Sequence, residues 1–142
     1  HYAVKCASTL CETQGPLGQW WWLYESRTGK VMSRYPVYSV HQQGMAPMGF
    51  LALERVSGLN FNEPIDRGLA WIYGKNELQT DLRDHVQNVI WRCIRHKNGG
   101  QKFVTVLRNS IGLPSENSSV QDLEILFEDW PYELGWLLYA FS

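Results

Sequence analysis

The spacing of apolar residues changes several times along the chain, and each change predicts an element. Ala3, Val4, Ala7, Leu10 and Cys11 recur at intervals of three and four, which predicts an amphipathic helix over residues 2–12. Gly15, Pro16 and Gly18 end it. In QWWWLYESRTGKVMSRYPVYSV, aromatic and β-branched residues flank residues 26–30, where Thr28-Gly29 can turn the chain, so the run reads as a short hairpin or an extended aromatic loop.

Beyond Ser39, the positions of Met45, Met48, Phe50, Leu51, Leu53 and Val56 suit a buried helix that stops at Ser57-Gly58, with Pro47 in its first turn or kinking it. Asn62-Glu63-Pro64 reads as the start of another helix, continued by Ile65, Leu69, Trp71 and Ile72 to Gly74. Joined by SGLNFN, the two predict an αα-hairpin. Residues 76–84 read as a polar loop. VIWRCIRHK reads as a strand that Asn98-Gly99-Gly100 would fold back onto QKFVTVLRN, with a helix and a long exit loop as the open alternative across residues 86–108. Residues 112–119 read as a linker. SVQDLEILFEDWPYELGWLLYAFS reads as one or two helices, with Ser119 as a cap and residues 133–141 as an apolar closing helix.

Composition narrows the function classes. The 142 residues suit a single domain over 1–142, and 44% apolar residues suffice for a core. A formal charge of −1 gives no electrostatic footprint for nucleic acid or an anionic membrane, so neither is an expected partner. Cys6, Cys11 and Cys93 contain no CxxC pair and read as reduced thiols, which points to the cytoplasm. No apolar run is long enough for a membrane span, and the amino end lacks the pattern of a signal peptide. The first residue is not Met, so a processed product or a fragment is expected. Seven Trp, seven Tyr and five Phe exceed what a small helical core needs, so some are expected to line a cavity, groove or interface.

GPLGQWWWLYESRTG and YPVYSVHQQGMAPMGFLAL, within residues 7–57, resemble a hairpin unit of the (α/α) toroid domains, the broad group of sugar epimerases, polysaccharide-processing enzymes and squalene-cyclase-type repeats. The resemblance covers about a third of the chain. It implies a mainly α fold of αα-hairpins from a partial toroid, with one or two short β-hairpins, as a C-terminal portion of a larger helical barrel. The aspartate-rich acid motif of the squalene-cyclase group is absent, and a full toroid needs more helices than this chain holds.

Several clusters carry candidate chemistry. Trp20, Trp21 and Trp22 with Tyr24, Tyr35, Tyr38 and His41 form the densest. In an extended run Trp21 faces opposite to Trp20 and Trp22, so one aromatic face is expected to be accessible. Aromatic faces suit sugar rings, and Gln19, His41, Gln42 and Gln43 can bond hydroxyls, which makes an oligosaccharide or sugar acid a candidate ligand. Core packing and contact with a protein partner, or with the rest of a longer chain, account for the same residues. His41 is the candidate acid/base, and Glu54, Glu63 and Asp66 are candidate carboxylate partners by type alone.

Arg92 and Arg95, with His96, Lys97 and Lys102 around Trp91, can hold a carboxylate or phosphate or can simply form an exposed basic face. Glu77, Asp81, Arg83, Asp84 and His85 read as a solvated loop without metal-ligand spacing. Glu124, Glu128, Asp129 and Glu133 read first as an acidic helix face, and otherwise as paired carboxylates for glycosidic chemistry. GxSxG, Walker and GxGxxG patterns are absent, and neither a cofactor nor a metal is expected. These residues suit two functions. The first is a carbohydrate-binding or carbohydrate-processing domain using Trp20, Trp21, Trp22, Tyr38, His41, Gln42, Arg92 and Arg95. The other is an interaction module whose aromatic face packs on another chain or segment.

Overall fold

The computed structural model describes residues 1–97 and 119–142. Helix α1 spans Tyr2–Thr13. A hairpin follows, β1 (Leu23–Tyr24) against β2 (Val31–Ser33). The Glu25 carboxylate closes its turn by accepting from the Arg27 and Thr28 amides at 2.9 and 2.8 Å, and Gly29 supplies the left-handed residue at φ 72°. Strand β3 (Val37–Tyr38) then feeds a helix that opens with a π turn, His41–Met45, and continues as α2 (Ala46–Ser57). Gly58, at φ 70°, ends α2, and α3 (Asn62–Ile72) packs back on it. The sequence-predicted αα-hairpin is these two helices.

Within VIWRCIRHK the strand reading holds, as two short strands, Val89–Ile90 and Cys93–His96, whereas the arrangement around them departs from the expected fold. Strands β4 (Arg83–Asp84) and β5 (Val89–Ile90) form a second small hairpin. Strand β6 (Cys93–His96) lies between β3 and β7 (Leu123–Leu126), antiparallel to both. A short 3-10 turn, Val120–Asp122, leads into β7, and α4 (Tyr132–Ala140) closes the described chain. Among the described residues there are four α-helices and three small sheets. The expectation of a mainly α fold made from αα-hairpins of a partial toroid is therefore corrected: this is an α+β arrangement. LEIL forms a strand because β6 presents an open edge beside it. Four residues of alternating character are too short to fix a helix against that pairing. Ser119 does cap as expected, accepting from the Gln121 amide, but what it caps is the 3-10 turn. The expected return of Asn98-Gly99-Gly100 onto QKFVTVLRN, Lys102, and the 112–118 part of the expected linker lie outside the described residues.

Two cores result, and the tryptophan triplet divides between them. Trp20 packs with Ala7, Phe50, Phe61 and Ile65 among the helices, while Trp21 joins Val37, Trp71, Ile72, Leu82, Ile94 and Leu123 beside the sheet. The incoming loop is fastened by Gln14, which donates to the Gly18 and Pro64 carbonyls, and by Arg67, which donates to the Gly15 carbonyl at 2.8 Å. Glu77, expected in a solvated loop, is instead a hub between the cores. Its carboxylate accepts from Gln19 Nε2 (2.9 Å), the Tyr35 hydroxyl (2.6 Å) and Trp71 Nε1 (2.8 Å). Buried Asn76 shapes this loop by bonding the Trp71 and Thr80 carbonyls and the Leu78 and Thr80 amides. No helix among the described residues is long and apolar enough to cross a membrane.

Candidate functional site

The residues best placed to meet another molecule form a strip of ring contacts across the end of the central sheet. Trp22 leaves the two cores behind and stands 47% exposed. Its ring lies 5.1 Å from that of Tyr38 on β3 and stacks parallel to His41, with an interplanar angle of 6° at 6.3 Å. Tyr38 in turn lies under the Arg92 guanidinium at 5.4 Å. Arg92 also lies over the Trp130 ring at 4.0 Å, and Trp130 meets Tyr132 edge-on at 5.5 Å. Each step is within range of aromatic or cation–π attraction, about 0.5–2 kcal/mol apiece, so the strip is held in one arrangement.

Three features of the sequence bring these groups together. The π turn keeps Gln42, Gln43 and Gly44 inside while His41 emerges beside Trp22. The β3–β6 pairing sets Tyr38 opposite Cys93, with Arg92 just before it. Arg92 also pairs with Glu128 at 2.7 Å, and its amide donates to the Glu128 carbonyl at 2.9 Å, which draws Trp130 over the guanidinium. The strip then runs on to α4, where Gly135 opens a cleft of about 370 Å³ between Tyr132, Trp136 and Tyr139.

Beneath the strip lies a buried acid. Glu133, only 1% exposed, receives the Ser39 hydroxyl on Oε2 at 2.8 Å, and Ser39 is equally close, at 2.9 Å, to the Arg92 carbonyl. Its other oxygen, with Asp129 Oδ1 and Arg92 Nε, has no hydrogen-bond partner among the described residues. Loss of water raises the Glu133 pKa to about 7, with nearby Asp129 adding to the rise and Ser39 and Arg92 opposing it. A proton on Oε2 would let Glu133 donate to Ser39 and Ser39 to the Arg92 carbonyl, completing a chain of bonds across β3, β6 and α4.

The expected site residues do not all meet. Trp22, Tyr38, His41 and Arg92 do. Trp20 and Trp21 are buried in separate cores, and Gln42 is fully buried, accepting from the Trp20 amide at 3.2 Å and donating to the Tyr38 carbonyl. Arg95 pairs with Glu124 opposite it on β7 and, among the described residues, joins none of the ring contacts. Gln19 is committed to Glu77, and Gln43 is buried. His41 is held neutral, because burial lowers its pKa, and among the described residues no carboxylate bonds it. Glu54 instead accepts from the Phe61 amide, and Glu63 faces Arg67 at 3.6 Å. Among the described residues no group of three or more His, Cys, Asp or Glu could hold a metal.

Trp130, Tyr132 and the Ser39–Glu133 pair were not foreseen. The Trp-Pro-Tyr run is the sequence signal for the first two, since Pro131 separates the exposed Trp130 from the helix that begins at Tyr132. Likewise the acidic helix face resolves into separate roles, with Glu124 and Glu128 pairing arginines and Glu133 buried. No family model, curated protein or solved structure matches this chain.

Proposed function

We propose that the chain is an interaction module in which the strip from Trp22 to Tyr132 and the outward face of α4 together seat another protein chain. Continuity carries the reading. The strip passes through Tyr132 into a helix where only Glu133 and Ala140 are buried, and Leu138 (73%) and Tyr139 (67%) stand in solvent with Phe127 nearby in sequence at 66%. Scattered exposed apolar groups are ordinary, but a connected surface of this kind marks an interface. Its Trp, Tyr and Arg content is that of the residues that dominate binding energy between proteins, and between Glu133 and Ser142 it offers no charged side chain. Cys6, Cys11 and Cys93 are free thiols, which fits a reducing compartment, and we place the protein in the cytoplasm.

One observation favours carbohydrate as a second reading: Trp22, Tyr38, His41 and Arg92 are adjacent, so a sugar ring could stack on Trp22 with an acidic group at Arg92. The glutamines expected to bond hydroxyls are turned inward, and this ranks it second.

The readings separate in one experiment, light scattering and Trp fluorescence on the same samples across protein concentration and in a titration with neutral and acidic oligosaccharides. Concentration-dependent association that Trp136→Lys and Tyr139→Lys abolish supports the interaction module. A monomer with a saturable, Trp22-dependent fluorescence shift supports the sugar site and refutes it.

A further inference from the structure

A second surface is independent of α4. Between α1 and α2 lies an open groove of about 670 Å³, lined by the buried faces of Trp20, Trp21 and Phe50 and by the small exposed positions Gly49 and Ala52. That volume is within the range of sites that take small organic ligands, and aromatic walls are typical of them. The charge match narrows the occupant: no Lys, Arg, Asp or Glu lines the groove. An ion seated against these walls would lose part of its water with no charged partner to replace it. His41, the one polar ring shared with the strip, stands at the groove as a neutral imidazole able to exchange a hydrogen bond. We infer that the groove binds an uncharged, largely apolar small molecule that carries one hydrogen-bonding group beside His41.

The probe is N-phenyl-1-naphthylamine, a neutral dye whose emission rises in apolar surroundings, titrated into the full chain at a protein concentration where scattering reports monomer. Gly49→Phe fills the groove, and a side chain is tolerated there, since a Cβ at Gly49 meets nothing within 4 Å. Gly135→Phe, equally free of clashes, blocks the α4 cleft and serves as the control. The inference expects saturable one-to-one binding by the wild type, weakened roughly tenfold or more by Gly49→Phe and unchanged by Gly135→Phe, a loss of about 1.4 kcal/mol per factor of ten. It also expects 1-decanol to displace the dye better than decanoate or decylammonium at pH 8. Circular dichroism confirms the fold of each variant. Failure to saturate, loss only in Gly135→Phe, or preferred displacement by either ion overturns the inference. So does a Gly49→Phe variant that loses self-association without the wild type having bound dye, which would give the groove to a second copy. The α4 face is tested by the Trp136→Lys and Tyr139→Lys variants, whose effect on association does not depend on dye binding in the groove, so the two proposals fail separately.

Discussion

Replacing Glu133 by Gln removes one ionisable group while preserving shape, and the amide can donate to Ser39 as the protonated acid does. The folded-state pKa of about 7 stands above the ordinary carboxylate value of 4.5. Below pH 4.5 the acid is protonated folded or unfolded, and its contribution to stability is fully present. As pH rises past 4.5 the unfolded chain releases its proton while the folded chain keeps it, so stability falls, and the loss is complete once pH exceeds 7. With 1.36 kcal/mol per unit of pKa difference, the total is about 3 kcal/mol, of which about 2.5 kcal/mol falls between pH 5 and 8.5. The observable is the difference between the wild type and Glu133→Gln, because histidines and other shared groups cancel in it. Urea unfolding followed by far-UV circular dichroism should find the two chains close in stability at pH 5. At pH 8.5 the Gln variant should be the more stable by about 2–3 kcal/mol. Stability curves that run parallel from pH 5 to 8.5 would refute the account of Glu133 as an acid kept neutral by burial.

Other expectations follow from single contacts. Glu77→Ala strands the Gln19, Tyr35 and Trp71 donors together and should cost about 3 kcal/mol in urea unfolding, with Tyr35→Phe in the same background recovering part of it; a loss under about 1 kcal/mol would contradict the hub. Gly18→Ala adds a Cβ 2.2 Å from the Arg67 carbonyl oxygen at φ 94°, and should destabilise by about 2–4 kcal/mol, where an unchanged urea midpoint would contradict the close approach. With a disulfide thiol reagent at pH 8, exposed Cys6 should react first. Cys93, buried and with its pKa pushed up to about 11 by desolvation, should react only on unfolding, and early labelling of Cys93 would contradict its burial.

Local signals were legible in the sequence where one segment decides its own structure. The 3 and 4 spacing from Ala3 to Cys11 became α1, Pro64 entered the first turn of α3, Gly58 stopped α2 in the left-handed region, and Thr28-Gly29 turned the first hairpin. Long-range pairing was not legible. Residues 123–126 form a strand because β6 needs a partner on its second edge, and nothing within DLEILFEDW announces that edge. The same limit governed the site. Trp22, Tyr38, His41 and Arg92 were expected together on residue type. Which of three consecutive tryptophans faces water, however, depended on two cores formed by elements far apart in sequence. Glu133 looked like any surface carboxylate, since its burial arises from Ser39, 94 positions away, and from the docking of α4.

The most direct test of the interaction surface is sedimentation equilibrium on the wild type and on the Trp136→Lys, Tyr139→Lys double variant over a wide range of concentration at pH 7.5. The wild type should associate reversibly through its exposed aromatic face, and the variant should remain monomeric with unchanged circular dichroism. A wild-type chain that stays monomeric at the highest concentration, or a variant that associates equally well, would contradict the assignment of that face as the contact surface.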